Sequence, residues 1–191
     1  MARVSLTPRR TLAVRLVEAF SRRRFGTVLD PLAATAHHPG VLRGVGLFEL
    51  SVARWRTLDP VLKHLAIMAA ACRIGCSWCV DFGHWEVHHL GLDREKVRLV
   101  PVWRDHPDAF TELERQVLAY AEAMTETEPS VTDEMTRPLV ARLGEKAFVE
   151  LTAMVAVENQ RSRVNAALGL TGQGFAERCG VPPPGAGAAR G

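Results

Sequence analysis

No stretch of about 18 residues in this chain is apolar and free of charge, so no transmembrane helix is expected. Residues 1–26 hold seven Arg and a single acid, Glu18, and lack the apolar run of about 7–15 residues that a secretory signal needs. They read as an Arg-rich surface helix rather than a transit peptide, and a cytoplasmic location is expected. Alternation of period two between hairpin turns is absent, which removes the usual signature of strands and leaves an all-α fold class. No glycine-rich phosphate loop of the GxGxxG kind follows a strand. Lysine is scarce, with only Lys63, Lys96 and Lys146 among 24 basic residues. The net charge of +3 is too small to point to nucleic acid, and the basic first helix reads as a solvated face rather than a DNA or membrane contact. The four Cys come without a secretory signal, which argues against a structural disulfide framework.

What is present is ordinary globular composition: 191 residues, 47% hydrophobic and 24% charged, enough for one domain with an N-terminal arm. Leu12, Leu16, Val17 and Phe20 recur at helical spacing and predict a helix over residues 11–24 that stops at Gly26. Residues 27–46 are interrupted by Pro31, Pro39, Gly40, Gly44 and Gly46, so short helices and turns are expected there, with a helix over 47–56. Asp59 and Pro60 are the cap and first position of the next helix. Residues 60–74 carry Val61, Leu62, Leu65, Met68, Ala69 and Cys72 on one stripe and form the strongest candidate for a core helix. After Gly75 the pattern resumes over 76–90 and ends at Gly91. Thr111 to Glu114 has the form of a capping box before a helix to about residue 125. Thr132 opens another helix that closes near Gly144, and 145–168 reads as one long helix ended by Gly169. The expected organisation is an arm over 1–46, a body over 47–170, and a disordered tail over 171–191.

The segment Gly75-Cys76-Ser77-Trp78-Cys79-Val80-Asp81-Phe82-Gly83-His84 carries the chemistry. Two Cys three apart at a helix start share a face and lie within disulfide reach. The helix N-terminus favours thiolate, the attacking species in peroxide reduction and in disulfide exchange. Half a zinc site and a pair of inert core thiols are the alternatives. A second CxxC is lacking, and His84, His88 and His89 match no common zinc spacing.

Leu58-Asp59-Pro60, the apolar helix after it, and Cys-Ser-Trp-Cys-Val-Asp-Phe-Gly together resemble the alkylhydroperoxidase-D / carboxymuconolactone-decarboxylase superfamily. Phe110 to Glu114, Val149 to Thr152, Glu158-Asn159 and Arg163 to Gly169 are similar to that family's later helices, so the resemblance spans roughly residues 40–170. It implies an alkylhydroperoxidase-D-like helical bundle that assembles as a homo-oligomer (dimer, trimer or hexamer). By position it implies that Cys79 attacks the peroxide and Cys76 resolves the product. The same branch draws the thiol proton through a Glu twelve residues before the first Cys and a His four residues after the second. Here those positions hold His64 and Gly83, with a His one step later at His84. On a helix, four residues separate side chains by about 40° and five by about 140°, so His84 is expected to point away from Cys79. His64 is the candidate replacement base, since imidazole titrates near neutrality.

The expected catalytic set is therefore Cys79, Cys76, His64 and His84. The expected function is thiol-dependent hydroperoxide reductase or disulfide oxidoreductase, with a hydroperoxide substrate and an external dithiol or thiol protein as reductant. Neither a metal nor a flavin or nicotinamide cofactor is called for. The alternatives are a carboxymuconolactone-decarboxylase-like lyase and a non-enzymatic, redox-responsive oligomer. Glu158, Asn159, Arg161 and Arg163 are read as an intersubunit salt-bridge network, Cys72 as a buried thiol, and Trp78 as a packing residue. His37 and His38 are assigned to a turn.

Overall fold

The computed structural model describes residues 1–178, and among them every regular element is helical. The chain runs through α1 (Leu12–Phe25), α2 (Asp30–Thr35), α3 (Pro39–Val52), α4 (Pro60–Ile74), α5 (Ser77–Leu90) and α6 (Arg94–Arg98). Two short 3-10 segments, Val100–Asp105 and Pro107–Ala109, lead to α7 (Glu112–Thr125), α8 (Asp133–Ala167) and α9 (Phe175–Arg178).

Helix α4 is the axis, packed against α5, α7 and α8. Asp59 caps it by accepting hydrogen bonds from the backbone N–H groups of Val61 and Leu62, and Pro60 takes its first position. Leu65, Ala66, Met68, Ala70 and Ala71 are wholly buried along it. The run Ala69-Ala70-Ala71 lets neighbouring helices approach the α4 backbone. Leu118 of α7, Leu151 and Val155 of α8, and Val87 of α5 close the core around it. The capping box before α7 is present in both directions: Thr111 accepts from the Glu114 N–H, and Glu114 accepts from the Thr111 N–H. Gly144, at φ +75°, breaks α8 into two pieces where the sequence predicts a stop and restart.

Three expectations change. Residues 39–52 form one continuous helix despite Gly40, Gly44 and Gly46, so the boundary expected at residue 46 falls inside α3, and the helix expected over 47–56 ends at Val52. Each internal glycine disfavours helix by about 1 kcal/mol. The helix is started by Pro39 and by His38, whose Nδ1 accepts from the Val41 N–H, and is held to α8 by the Glu49–Arg161 pair. Second, the apolar stripe of α1 faces outward: Leu12, Leu16 and Phe20 are 58–73% exposed, whereas Val14, Glu18 and Ser21 are buried. Third, residues 171–178 dock on the body through Gln173, Phe175 and α9. The rest of the expected tail, 179–191, lies outside the described residues. At the other end, Arg3 donates to the Ala166 and Ala167 carbonyls and its backbone N–H to Leu168, satisfying the free carbonyls at the end of α8. No helix among the described residues is long and apolar enough to cross a membrane.

Candidate active site

Gly75, at φ +78°, ends α4 in the left-handed region that glycine adopts without strain and swings the chain directly into α5. Cys76 becomes the N-cap of α5, and its Sγ accepts from the Cys79 N–H at 3.2 Å. The two Cα atoms are 5.3 Å apart and the sulfurs are joined as a disulfide. Cys76 and Cys79 are both buried.

The second half of the site comes from α8. Glu158, Ser162 and Asn165 fall at i, i+4 and i+7, one face of a helix, and all three are at most 3% exposed. The Ser162 hydroxyl lies 3.3 Å from Cys79 Sγ and 2.8 Å from Glu158 Oε1, and Asn165 Nδ2 donates to Cys79 Sγ at 3.4 Å. The other Glu158 oxygen, Oε2, is 3.6 Å from Arg161, which also forks onto both oxygens of Glu49 on α3. Burial pushes the Glu158 carboxyl up to about 7; Glu86 on α5 adds to this, and Arg161 and Ser162 pull against it. Burial also raises Glu86, against the pull of Arg161. Arg161 is raised despite its burial, because Glu49, Glu158 and Glu86 hold its charge. The network expected between subunits thus closes within one chain: Arg161 pairs with Glu49 and Glu158, Asn159 with Thr125 and Val155, and Arg163 with the Thr125 carbonyl.

His64 and His84 are both buried, at 3% and 5% exposure. They sit on the two helices of the α4–α5 contact, within electrostatic reach of each other. The His64 ring hydrogen-bonds the Gly83 carbonyl, and its Nε2 is buried without a partner among the described residues. Burial first, then His84, lowers His64 to about 4; burial lowers His84 too, against the pull of Asp81. Neither histidine hydrogen-bonds Cys76 or Cys79 among the described residues. His64 lines a cleft of about 520 Å³ between α4, α6 and α7, with Leu62, Leu92 and Leu113 among its walls. The position where the resembled branch carries its His is closed here. A Cβ on Gly83 would sit 2.2 Å from Met68 Sδ.

The remaining candidates are structural. Asp81 accepts from the backbone N–H groups of Gln173, Phe175 and Ala176 and so docks α9. Trp78 stacks on Phe82 at 5.0 Å and donates to Gln173 Oε1 at 2.9 Å. His38 caps α3 and His37 hydrogen-bonds the Ser5 carbonyl. Cys72 is a partly buried free thiol pushed up to about 12 by burial and by Glu122 and Glu158. Among the described residues no group of three or more His, Cys, Asp or Glu is placed to hold a metal ion.

Ser162 and Asn165 are site residues that the sequence reading passed over. Their signal is the spacing Glu158-x-x-x-Ser162-x-x-Asn165, which puts three polar residues on one face of α8 among the equally polar Asn159, Gln160, Arg161 and Arg163. It carries no pointer to a CxxC more than 80 residues away.

Similarity to known proteins follows the same ground. The model of the carboxymuconolactone decarboxylase family matches residues 39–123. The uncharacterized protein YnjA of Escherichia coli (strain K12) is 33% identical over 162 residues, covering 84% of this chain and 87% of that one. The solved structure of the debrominase Bmp8 superposes with a TM-score of 0.77 at 19% identity, covering 91% of this chain and 94% of that one. A protein of unknown function from Agrobacterium tumefaciens, ATU0492, provisionally described as the antioxidant defence protein AhpD, gives a TM-score of 0.65 at 27% identity over 70% of this chain and 91% of its own.

Proposed function

The chain belongs to the carboxymuconolactone decarboxylase family, and on that premise we propose that it is a thiol-dependent hydroperoxide reductase in which Cys79 attacks and Cys76 resolves. The observation that carries this reading is the joined Cys76–Cys79 pair at the start of α5, with Ser162 and Asn165 of α8 turned onto Cys79 Sγ. A decarboxylase needs no such pair; a thiol reductase needs a nucleophile and a partner within bonding distance.

The roles follow from what touches each sulfur. Cys79 Sγ meets two side chains that donate hydrogen bonds, which stabilise a thiolate there. Cys76 Sγ meets the backbone N–H of Cys79 and sits where it condenses with an oxidised neighbour. In the first step the Cys79 thiolate attacks the outer oxygen of a hydroperoxide. An S–O bond forms, the O–O bond breaks, and the alkoxide takes up the proton the thiol gave up, leaving an alcohol and a Cys79 sulfenic acid. The Cys76 thiol then displaces water from that sulfenic acid and the disulfide forms. An external dithiol returns the pair to two thiols and is itself oxidised to a disulfide.

A homo-oligomer is part of the proposal. The outward stripe Leu12, Leu16 and Phe20 of α1 and the exposed Leu47 and Leu50 of α3 support it, since apolar side chains in a contiguous row favour burial against another surface.

The test is dithiol-supported reduction of an organic hydroperoxide by wild type, Cys79→Ser and Cys76→Ser. Saturable turnover lost in Cys79→Ser, with a sulfenic acid trapped in Cys76→Ser, is the expected result. Lactone turnover that survives loss of both Cys would favour the lyase reading instead. No rate above free dithiol, with both thiols alkylating in the ordinary range, would leave a redox-responsive oligomer.

A further inference from the structure

We propose that Glu158, acting through Ser162, is the group that takes the proton from the Cys79 thiol, so that α8 supplies the relay in place of α4 and α5. The inference rests on the thiol-reductase reading above, and names the proton path of that same site.

Two contacts and the burial of the residue between them make the path continuous. Cys79 Sγ to Ser162 Oγ is 3.3 Å, Ser162 Oγ to Glu158 Oε1 is 2.8 Å, and Ser162 is wholly buried, so bulk water does not compete at the middle station. A hydroxyl has one proton to give and lone pairs to receive another. The Cys79 S–H bond breaks, its proton goes to Ser162 Oγ, and the Ser162 proton moves to Glu158 Oε1. The products are a Cys79 thiolate, an unchanged hydroxyl and a protonated carboxyl, and no electrons are exchanged. The two carboxyl oxygens divide the work: Oε2 faces Arg161, and Oε1 is left to Ser162. Asn165 donates to the sulfur on its other approach and steadies the charge that forms there.

The groups around Glu158 suit it to this task. Arg161 on its own helix favours the charged form; Glu86 from α5 favours the protonated form. Glu49 from α3 shares the charge of Arg161, and Cys72 from α4 stays a neutral thiol. The balance leaves the carboxyl near 7, where it accepts and releases a proton readily. His64 has a worse position and a worse affinity. It makes no hydrogen bond to either sulfur among the described residues, and at about 4 it is too weak a base to hold a thiol proton.

The experiment is the pH dependence of Cys79 alkylation by iodoacetamide in the reduced full-length chain, read at that residue by mass spectrometry, for wild type, Glu158→Gln and Ser162→Ala. Wild type is expected to gain reactivity through an inflexion near pH 7, as the coupled pair drops to one shared proton. Both variants are expected to lose that limb and to rise only through the ordinary thiol range near pH ~8.5, a deficit of about tenfold or more at pH 7 that closes above pH ~10. A purely electrostatic role for Glu158 gives the opposite sign, because removing a negative charge lowers the thiol pKa and speeds alkylation at pH 7. That result, an unchanged profile, or an equal drop at every pH in both variants overturns the proposal. If Glu158→Gln does not fold, Glu158→Asp takes its place: drawing the carboxyl back from Ser162 is expected to remove the limb near pH 7, and an unchanged profile overturns the proposal. The measurement uses no peroxide, so a failed relay and a failed substrate assignment are told apart.

Discussion

Replacing Gly83 by Ala forces one methyl group into the α4–α5 contact. Its Cβ would lie 2.2 Å from Met68 Sδ and 3.5 Å from Met68 Cε, well inside the separation of about 3.5–4.0 Å at which nonbonded heavy atoms rest. Met68 is wholly buried, and Gly83 is in the middle of α5, so relief requires either an off-rotamer methionine or a wider spacing between the helices. Overpacking of this kind costs about 1–3 kcal/mol, and the better helix propensity of alanine offsets up to about 1 kcal/mol of it. For a chain of this length the net of about 0–2 kcal/mol corresponds to a fall in Tm of up to roughly 8 °C. Differential scanning calorimetry of Gly83→Ala against wild type reads it directly. The pair Gly83→Ala with Met68→Ala should be less destabilised than the sum of the singles, because the new methyl occupies part of the cavity that the methionine leaves. A Gly83→Ala chain more stable than wild type, or strictly additive singles, would refute the claim that Met68 closes the position after Cys79.

Other outcomes follow from the same structure. Asp81→Ala removes a carboxylate that accepts three backbone N–H groups, and should cost about 2–4 kcal/mol and release α9 to limited proteolysis near residue 173 while the helical body persists. Glu158 has its folded pKa raised from 4.5 to about 7, so the folded state binds more protons and this group's contribution to stability is lost as pH rises through that window, by about 3 kcal/mol. His64 has its folded pKa lowered from 6.5 to about 4, so its contribution is full above 6.5 and is lost as pH falls toward 4, by a similar amount. The two slopes oppose each other in wild type. Urea unfolding across pH 4.5–7 should show Glu158→Gln losing stability on acidification more steeply than wild type, and His64→Gln gaining it. Cys72, held up to about 12, should escape alkylation at pH 8 in the folded chain and react once denatured.

The parts of the fold that were legible in the sequence are those set by near neighbours. Asp59 with Pro60, the capping box from Thr111 to Glu114, and the glycine that ends α4 each act within a few residues, and each is found where local chemistry puts it. The all-helical class follows from the same local periodicities. Helix α3 was not legible, because three glycines argue for breaks and only the packing of the whole chain keeps it continuous. The facing of α1 was hidden for a related reason: an apolar stripe announces a face to be buried, not the surface that will bury it. At the site, the CxxC pair and its helix start were plain, whereas the partners of Cys79 were not. Periodicity can show that Glu158, Ser162 and Asn165 share a face of α8, but only the packing of α8 beside α5 brings that face to the sulfur. The two histidines were visible for their residue type, and their burial at the α4–α5 contact came from the tertiary structure.

The most direct measurement of the central claim is a single turnover. The fully reduced chain is mixed with one equivalent of cumene hydroperoxide, with no dithiol present, and intact mass and peptide mapping follow the protein while the alcohol product is quantified. The account predicts one alcohol formed per Cys76–Cys79 disulfide closed, through a Cys79 sulfenic acid that accumulates when Cys76 is Ser. Peroxide left unconsumed while both thiols stay reduced, or a sulfenic acid that builds up on Cys76, would contradict it.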